Sequence, residues 1–196
     1  MSTNLSSPEN SCNWPGNDPL MIVYHDSEWG EPLHDDRKLF KFMVLDAFQA
    51  GLSWKTILHR RDGFRKAFDF FDVNKIADYD ETKILELMQD TGIIRNQMKI
   101  RSTVTNARAF LKVQEEFGTF DRYIWQFTGG ITVNNEWTST SQVPARSIES
   151  DAMSKDLVKR GFKFVGSTIC YAFMQAAGMI NDHLITCTKH PDFNKG

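Results

Sequence analysis

The sequence predicts an all-α domain, and three observations carry that prediction. Apolar residues recur at helical spacing in one segment after another. The segments open on Asp, Asn or Ser and close on Gly. Only the short stretch Ile131-Thr-Val has the composition of a strand. The elements follow in order. Residues 1–11 are rich in Ser and Asn and read as a mobile polar tail. Asn13 to Gly30 mixes Pro15, Gly16 and Pro19 with Trp14, Tyr24 and Trp29, and reads as irregular. From Asp35 or Asp36 a helix carries Leu39, Phe40, Met43, Val44 and Ala47 and stops at Gly51; Ser53 caps a second through Leu58, and Gly63 breaks the pattern. Asp72 and Asp80 are successive caps, the second opening Glu81 to Gln89. A long helix spans about Asn96 to Glu116 on Ile100, Val104, Ala107 and Leu111. Phe120 to Phe127 is a short aromatic helix, and Gly129 to Pro144 a loop or short hairpin. Ser150 caps a helix to Arg160, Ser167 caps one to Ala177, and Asn181 to Cys187 forms a last helical turn or two.

With 196 residues, 41% of them hydrophobic and 24% charged, the chain can bury a core without a disulfide framework. Three cysteines exclude a disulfide-rich secreted scaffold, and no apolar run approaches the ~18 residues needed to cross a bilayer. The polar start lacks the apolar stretch of a signal peptide, so a reducing cytosol is expected. A net charge of −2 argues against a chain coated in basic residues, but the charge is uneven. Arg95, Lys99, Arg101, Arg108 and Lys112 fall together without an acid between them, and Lys55, Arg60, Arg61, Arg65 and Lys66 form a second cluster.

Three constellations carry chemistry. His183-x-x-x-Cys187 would share one helical face, and with Cys12 and His25 makes the two-thiolate, two-imidazole set that closes a tetrahedral zinc; the alternative is four ordinary core or surface residues. Cys170, between Ile169 and Tyr171, reads as core. Thr91-Gly92-Ile93-Ile94-Arg95 joins two helices. Backbone amides there, with Arg95 and Lys99, could hold a DNA phosphate, unless the turn is a plain corner with a solvated basic face. Trp14, Tyr24, Trp29, Phe48 and Trp54 could sandwich an extruded base, or simply pack. Asp46 lies among Val44, Leu45, Ala47 and Phe48, where a carboxylate is costly without a partner.

Longer motifs then narrow the choice. Tyr24-His-Asp-x-Glu-Trp-Gly30, Gln49-Ala-Gly-Leu-Ser-Trp54, Arg160-Gly-Phe-Lys-Phe-Val-Gly166, Ile169-Cys-Tyr171 and Asn181-Asp-His183 closely resemble the 3-methyladenine DNA glycosylase I family, in register from Cys12 to about Cys187. The resemblance implies a helix-hairpin-helix DNA glycosylase fold, with the termini joined by one structural zinc on Cys12, His25, His183 and Cys187. It implies a single domain over 12–190 and a C-terminal tail over 191–196. It puts a base pocket at Tyr24 and Trp54 with Trp14 and Phe48 nearby, and a DNA-probing loop at Gln49 to Ser53, where Gly51 and Leu52 contact DNA and Leu52 wedges. The carboxylate that meets the base falls on Asp46, where the family has Glu, and Ala47 and Phe48 replace smaller or polar neighbours.

The implied activity is flipping and hydrolytic removal of 3-methyladenine from alkylated double-stranded DNA by a monomer in the bacterial cytosol or nucleoid. No motif places a nucleophilic lysine, so no strand cleavage is expected, and neither a nucleotide cofactor nor a membrane is implied. The alternative is a weak or inactive binder of alkylation damage with the same fold.

Overall fold

The computed structural model describes residues 12–193, within which ten α-helices carry nearly all the regular structure. The expected mobile tail over 1–11 and the last three positions, 194–196, lie outside the described residues. The first helix, α1 (Pro19–Ser27), corrects the expectation of an irregular segment. Asp18 accepts from the amides of Leu20 and Met21, and Pro19 occupies the first turn, where its missing N–H costs nothing. Asp35 caps α2 (Asp36–Gln49) and Ser53 caps α3 (Trp54–Leu58).

Gly63 does not break the chain but lies inside α4 (Arg61–Ala67), where a Cβ would run into the backbone of Gly92. A left-handed turn follows at Asp69, Phe70 and Phe71. Asp72 caps α5 (Val73–Ala77) and Asp80 caps α6 (Glu81–Gln89). Asn96 caps α7 (Gln97–Phe117), the central helix, which packs against α5, α6, α2 and α8 (Phe120–Ile124). α8 runs on into a 3₁₀ turn over Trp125–Thr128.

Four features differ from expectation. Ser147, not Ser150, caps α9 (Ile148–Lys159), in a reciprocal pair with Ser150. Gly166, not Ser167, precedes α10 (Ser167–Ala176), and no side chain caps its first-turn amides. The only strand pairing in the described residues is parallel, β1 (Val133–Asn134) on β2 (Ile180–Asn181), so Ile131-Thr-Val leads into a strand docked on the C-terminal segment rather than into a hairpin. Asn181 to Cys187 is strand and turn, not helix.

The core is aromatic. Phe40, Phe110, Phe120, Phe162 and Tyr123 form one run of ring contacts, and Phe48, Phe64 and Phe68 another. Among the described residues, no helix is long and apolar enough to cross a membrane.

Candidate active site and metal centre

α2 delivers Asp46 and Gln49 to one wall of a cavity of about 340 Å³, and α1 delivers Tyr24 beside them. α3 places Trp54 in its first turn, facing the same space, and Trp14 and Trp29 close the aromatic side. The rings pack closely: Tyr24 and Trp54 are tilted with centroids 5.0 Å apart, and Trp14 meets Trp29 at 5.0 Å and Tyr24 at 6.3 Å edge to face. The structure thus brings Trp14, Tyr24, Asp46 and Trp54 together.

Phe48 does not join them. It is fully buried on the opposite side of α2, packed on Phe64 and Phe68, because a residue two places after Asp46 turns about 200° around a helix of 3.6 residues per turn. The expectation of Phe48 in a base pocket is therefore corrected: it is a core residue.

Asp46 is 2% exposed, and its Oδ2 has no hydrogen-bond partner. Burial holds its carboxyl well above the usual carboxylate range, with the Lys41 charge pulling weakly the other way. Burial, and then the nearby Asp46, raise the Tyr24 phenol above its ordinary value, so Tyr24 stays neutral. The three buried, unpartnered side-chain polar atoms found among the described residues are Asp46 Oδ2, Trp14 Nε1 and Trp54 Nε1, and all three residues line this cavity. Native proteins satisfy buried polar groups, so such a cluster makes this cavity the candidate binding site.

Sequence reasoning missed the far wall. There Asp182 accepts four hydrogen bonds at 2.7 Å, from Asn135, Trp137, Tyr171 and Gln175, and Gln175 lines the cavity beside it. Asp182 lies within the Asn181-Asp-His183 motif, but its partners come from two other segments, the stretch after β1 and α10, and no spacing rule connects them.

Behind the aromatic wall, Cys12, His25, His183 and Cys187 are all buried, with their ligand atoms within 4.8 Å of one another. Sγ of Cys187 is 3.7 Å from His25 Nε2 and 3.5 Å from His183 Nδ1, and Sγ of Cys12 is 3.8 Å from that same Nδ1. Zinc bonds of about 2.3 Å to sulfur and 2.0 Å to nitrogen imply ligand separations of about 3.3–3.8 Å in a tetrahedron, so the four residues fit a cation. The other ring nitrogens are held as metal-binding imidazoles usually are: His25 Nδ1 by Asp26 at 2.6 Å and His183 Nε2 by the Trp29 carbonyl at 3.0 Å. The bond from Cys12 pulls Cys187 far below an ordinary thiol, while that same contact and burial push Cys12 up. A turn, closed by Cys187 N–H to the Leu184 carbonyl, brings His183 and Cys187 together rather than a helical face.

The expected phosphate grip at Gly92 is corrected. The Gly92 N–H already donates to Asp90 Oδ1, and Gly92 is pressed against Gly63. Lys99 is 6% exposed, and its Nζ donates to the carbonyls of Phe48 (2.8 Å) and Ala50 (2.6 Å). A lysine spent on capping carbonyls cannot meet solvent-borne phosphate. Arg95 remains exposed. In the probing loop, Gly51 has φ +77° and Leu52 stands 42% exposed.

A second hairpin, Arg160 to Gly166, joins α9 to α10 and leads into first-turn amides that no side chain caps. Its Lys163 carbonyl is taken by Asn106 and its Val165 carbonyl by Ser154 and Cys170, while α10 starts uncapped and Lys163 is exposed.

Comparison with known proteins agrees with this geometry. Residues 14–190 match the family model described as methyladenine glycosylase. The chain is 46% identical over 180 residues to DNA-3-methyladenine glycosylase 1 of Escherichia coli (strain K12), covering 92% of this chain and 96% of that protein. It is 43% identical over 176 residues to DNA-3-methyladenine glycosylase of Haemophilus influenzae, covering 90% and 95%. A crystal structure of 3-methyladenine DNA glycosylase I superposes with a TM-score of 0.89 at 47% identity, over 92% of this chain and all of that one. The Staphylococcus aureus 3-methyladenine DNA glycosylase I, solved for its recognition of 3-methyladenine, gives a TM-score of 0.90 at 33% identity, over 93% and 97%.

Proposed function

The chain belongs to the methyladenine glycosylase family and is a DNA N-glycosylase, and from that premise we propose that it flips N3-methylated adenine out of duplex DNA into the cavity beside Asp46 and hydrolyses its glycosidic bond without cutting the strand. The observation that carries this reading is the gathering of Asp46 Oδ2, Trp14 Nε1 and Trp54 Nε1, all buried and unpartnered, around a single hollow walled by aromatic rings.

Methylation at N3 gives adenine a positive charge and makes it a good leaving group. Stacking on Trp54 and Tyr24 contributes a cation–π attraction of ~0.5–2 kcal/mol per contact. The arriving cation supplies the charge that burial denies Asp46, so the carboxyl ionises and accepts from the exocyclic amino group. Guanine presents a carbonyl there and is disfavoured. As the bond breaks, its electron pair leaves with the base, positive charge moves to the sugar, and water adds at C1′ and gives up a proton. Asp46 is one methylene shorter than the family Glu, which the hollow accommodates by letting the base seat deeper. Phe48 lies in the core and does not block the cavity, which favours an active enzyme over an inactive binder.

On the DNA side, Leu52 fills the gap left by the base, and the hairpin before α10, with Lys163 and Arg95, holds the backbone. Extrusion costs a few kcal/mol, offset by these contacts. Cys12, His25, His183 and Cys187 would hold one structural zinc, which supplies charge and cross-linking rather than chemistry at the base. The protein acts as a monomer over 12–190 in the cytosol.

Incubation with methylated plasmid DNA should liberate free 3-methyladenine, identified chromatographically, while 7-methylguanine stays in the polymer. Equal release of both would refute the selectivity. Borohydride should trap no covalent adduct with DNA, since no Schiff base forms.

A further inference from the structure

α7 carries buried polar residues that a long core helix has no need of: Lys99, Ser102, Thr103 and Asn106. Ser102 and Thr103 return their hydroxyls to the Lys99 carbonyl of their own helix. Lys99 and Asn106 instead reach out to other parts of the chain. The Lys99 ammonium clasps the carbonyls of Phe48 and Ala50, the last turn of α2 and the first residue beyond it. The next residues are Gly51 and Leu52, the exposed tip of the probing loop, and then Ser53, which caps the helix of Trp54. Asn106 uses both ends of its amide on one residue of the other hairpin: its Nδ2 donates to the Lys163 carbonyl at 3.0 Å, and its Oδ1 accepts from the Lys163 N–H at 2.7 Å. Next to Lys163, Phe164 is held at φ +55°, a conformation that a bulky residue adopts only under restraint, and the Lys99 Nζ lies 5.9 Å from its ring centroid.

Lys99 and Asn106 are seven residues apart, about two turns and about 10 Å along one side of a helix. The same rigid rod therefore ties both loops that the proposed function places on DNA. We propose that Lys99 and Asn106 are positioning residues that hold the probing loop and the α9–α10 hairpin at a fixed separation, so that gripping the backbone sets the wedge at the lesion. Neither residue touches the base. Lys99 acts through Leu52, and Asn106 through the backbone of the hairpin. The inference rests on the base-excision reading and assigns a division of labour within it.

Two measurements separate the roles. Affinity for unmodified duplex, by fluorescence anisotropy, reads the hairpin. Single-turnover base release at saturating enzyme, from methylated duplex and from the same DNA heat-denatured, reads the wedge. Lys99→Met is expected to slow release from duplex by ~10–100-fold, the cost of misplacing a group by about 1 Å, and release from denatured DNA by far less, because no stack has to be opened there. Lys99→Arg, which keeps donors for both carbonyls, should recover much of the duplex rate.

Asn106→Leu is expected to weaken duplex affinity by about tenfold, as loss of a bidentate clamp on the hairpin backbone lets its N–H and C=O move, with a smaller effect on the saturated rate. If either variant melts below the assay temperature, Lys99→Gln and Asn106→Asp, each keeping one of the two bonds, are measured in its place. Equal slowing on duplex and denatured DNA by the Lys99 variant, or loss of both readouts in parallel by both variants, would overturn the assignment in favour of a merely structural role, as would no change at all. Failure of the unsubstituted protein to release 3-methyladenine would refute the base-excision reading instead, and the anisotropy arm would still read the clamp on the hairpin.

Discussion

Asp46→Asn is expected to lower single-turnover release of 3-methyladenine by ~10²–10³-fold, the loss typical of removing one preorganised electrostatic partner from a buried site. The substitution keeps the shape of the side chain and removes the charge available to oppose the cationic purine. Asp46→Glu, which carries the carboxyl one methylene further into the cavity, is expected to keep or raise the rate. The acid limb of the profile for kcat/KM should follow the same group. Burial raises its pKa, so activity falls as pH drops through a value above the ordinary carboxylate range, and Asp46→Asn abolishes that limb.

Stability should move the other way. With the folded-state pKa above the unfolded one, the native protein holds a proton that the unfolded chain does not. That contribution to stability is complete below the unfolded pKa and is lost as pH rises through the folded one. An uncharged Asn escapes that loss. Asp46→Asn is therefore expected to raise Tm at neutral pH, by roughly 2–4 °C for each kcal/mol relieved in a chain of this size. An unaltered rate together with an unaltered Tm would remove Asp46 from the site.

Loss of the metal centre should have the largest effect on stability. Elemental analysis is expected to find one zinc per chain, and Cys187→Ser to lower Tm by about 10 °C or more, since binding to a preformed tetrahedral set contributes several kcal/mol at ~2–4 °C each. The four residues bring an N-terminal segment to the C-terminal one, His25 and Cys187 being 162 positions apart in sequence. The site also backs the cavity: Trp14 follows Cys12 closely, Tyr24 precedes His25, and the His183 ring packs on Trp29 at 4.6 Å. Below the new Tm, excision should fall less than stability does. A metal-free protein with an unchanged Tm would refute the staple.

Local chemistry was legible in the sequence. Ser53, Asp72 and Asp80 cap their helices as read, and Asp35 proves to be the cap of the two residues read for α2, because a cap is made within three residues of itself. Even the missed α1 had its signal in Asp18-Pro19. The set of two cysteines and two histidines was visible as residue types, and the family resemblance put Trp14, Tyr24, Asp46 and Trp54 in one pocket, as the cavity lining has them.

Direction and occupancy were not legible. Lys99 read as a phosphate contact because it is basic and follows a hairpin, yet two carbonyls nearly fifty residues away already bind it. Phe48 read as a pocket ring, but helical rotation turns it into the core. The hairpin at Gly92 has its donor spent on Asp90, while the one at Gly166 stays uncapped. The sequence by itself determined where the helices capped by Ser53, Asp72 and Asp80 begin and which residue types the site would contain, since both depend on neighbours along the chain. Only the tertiary structure decided which polar groups are already satisfied and which are left for a ligand, because a hydrogen bond between distant segments exists only once packing has brought donor and acceptor to within about 3 Å.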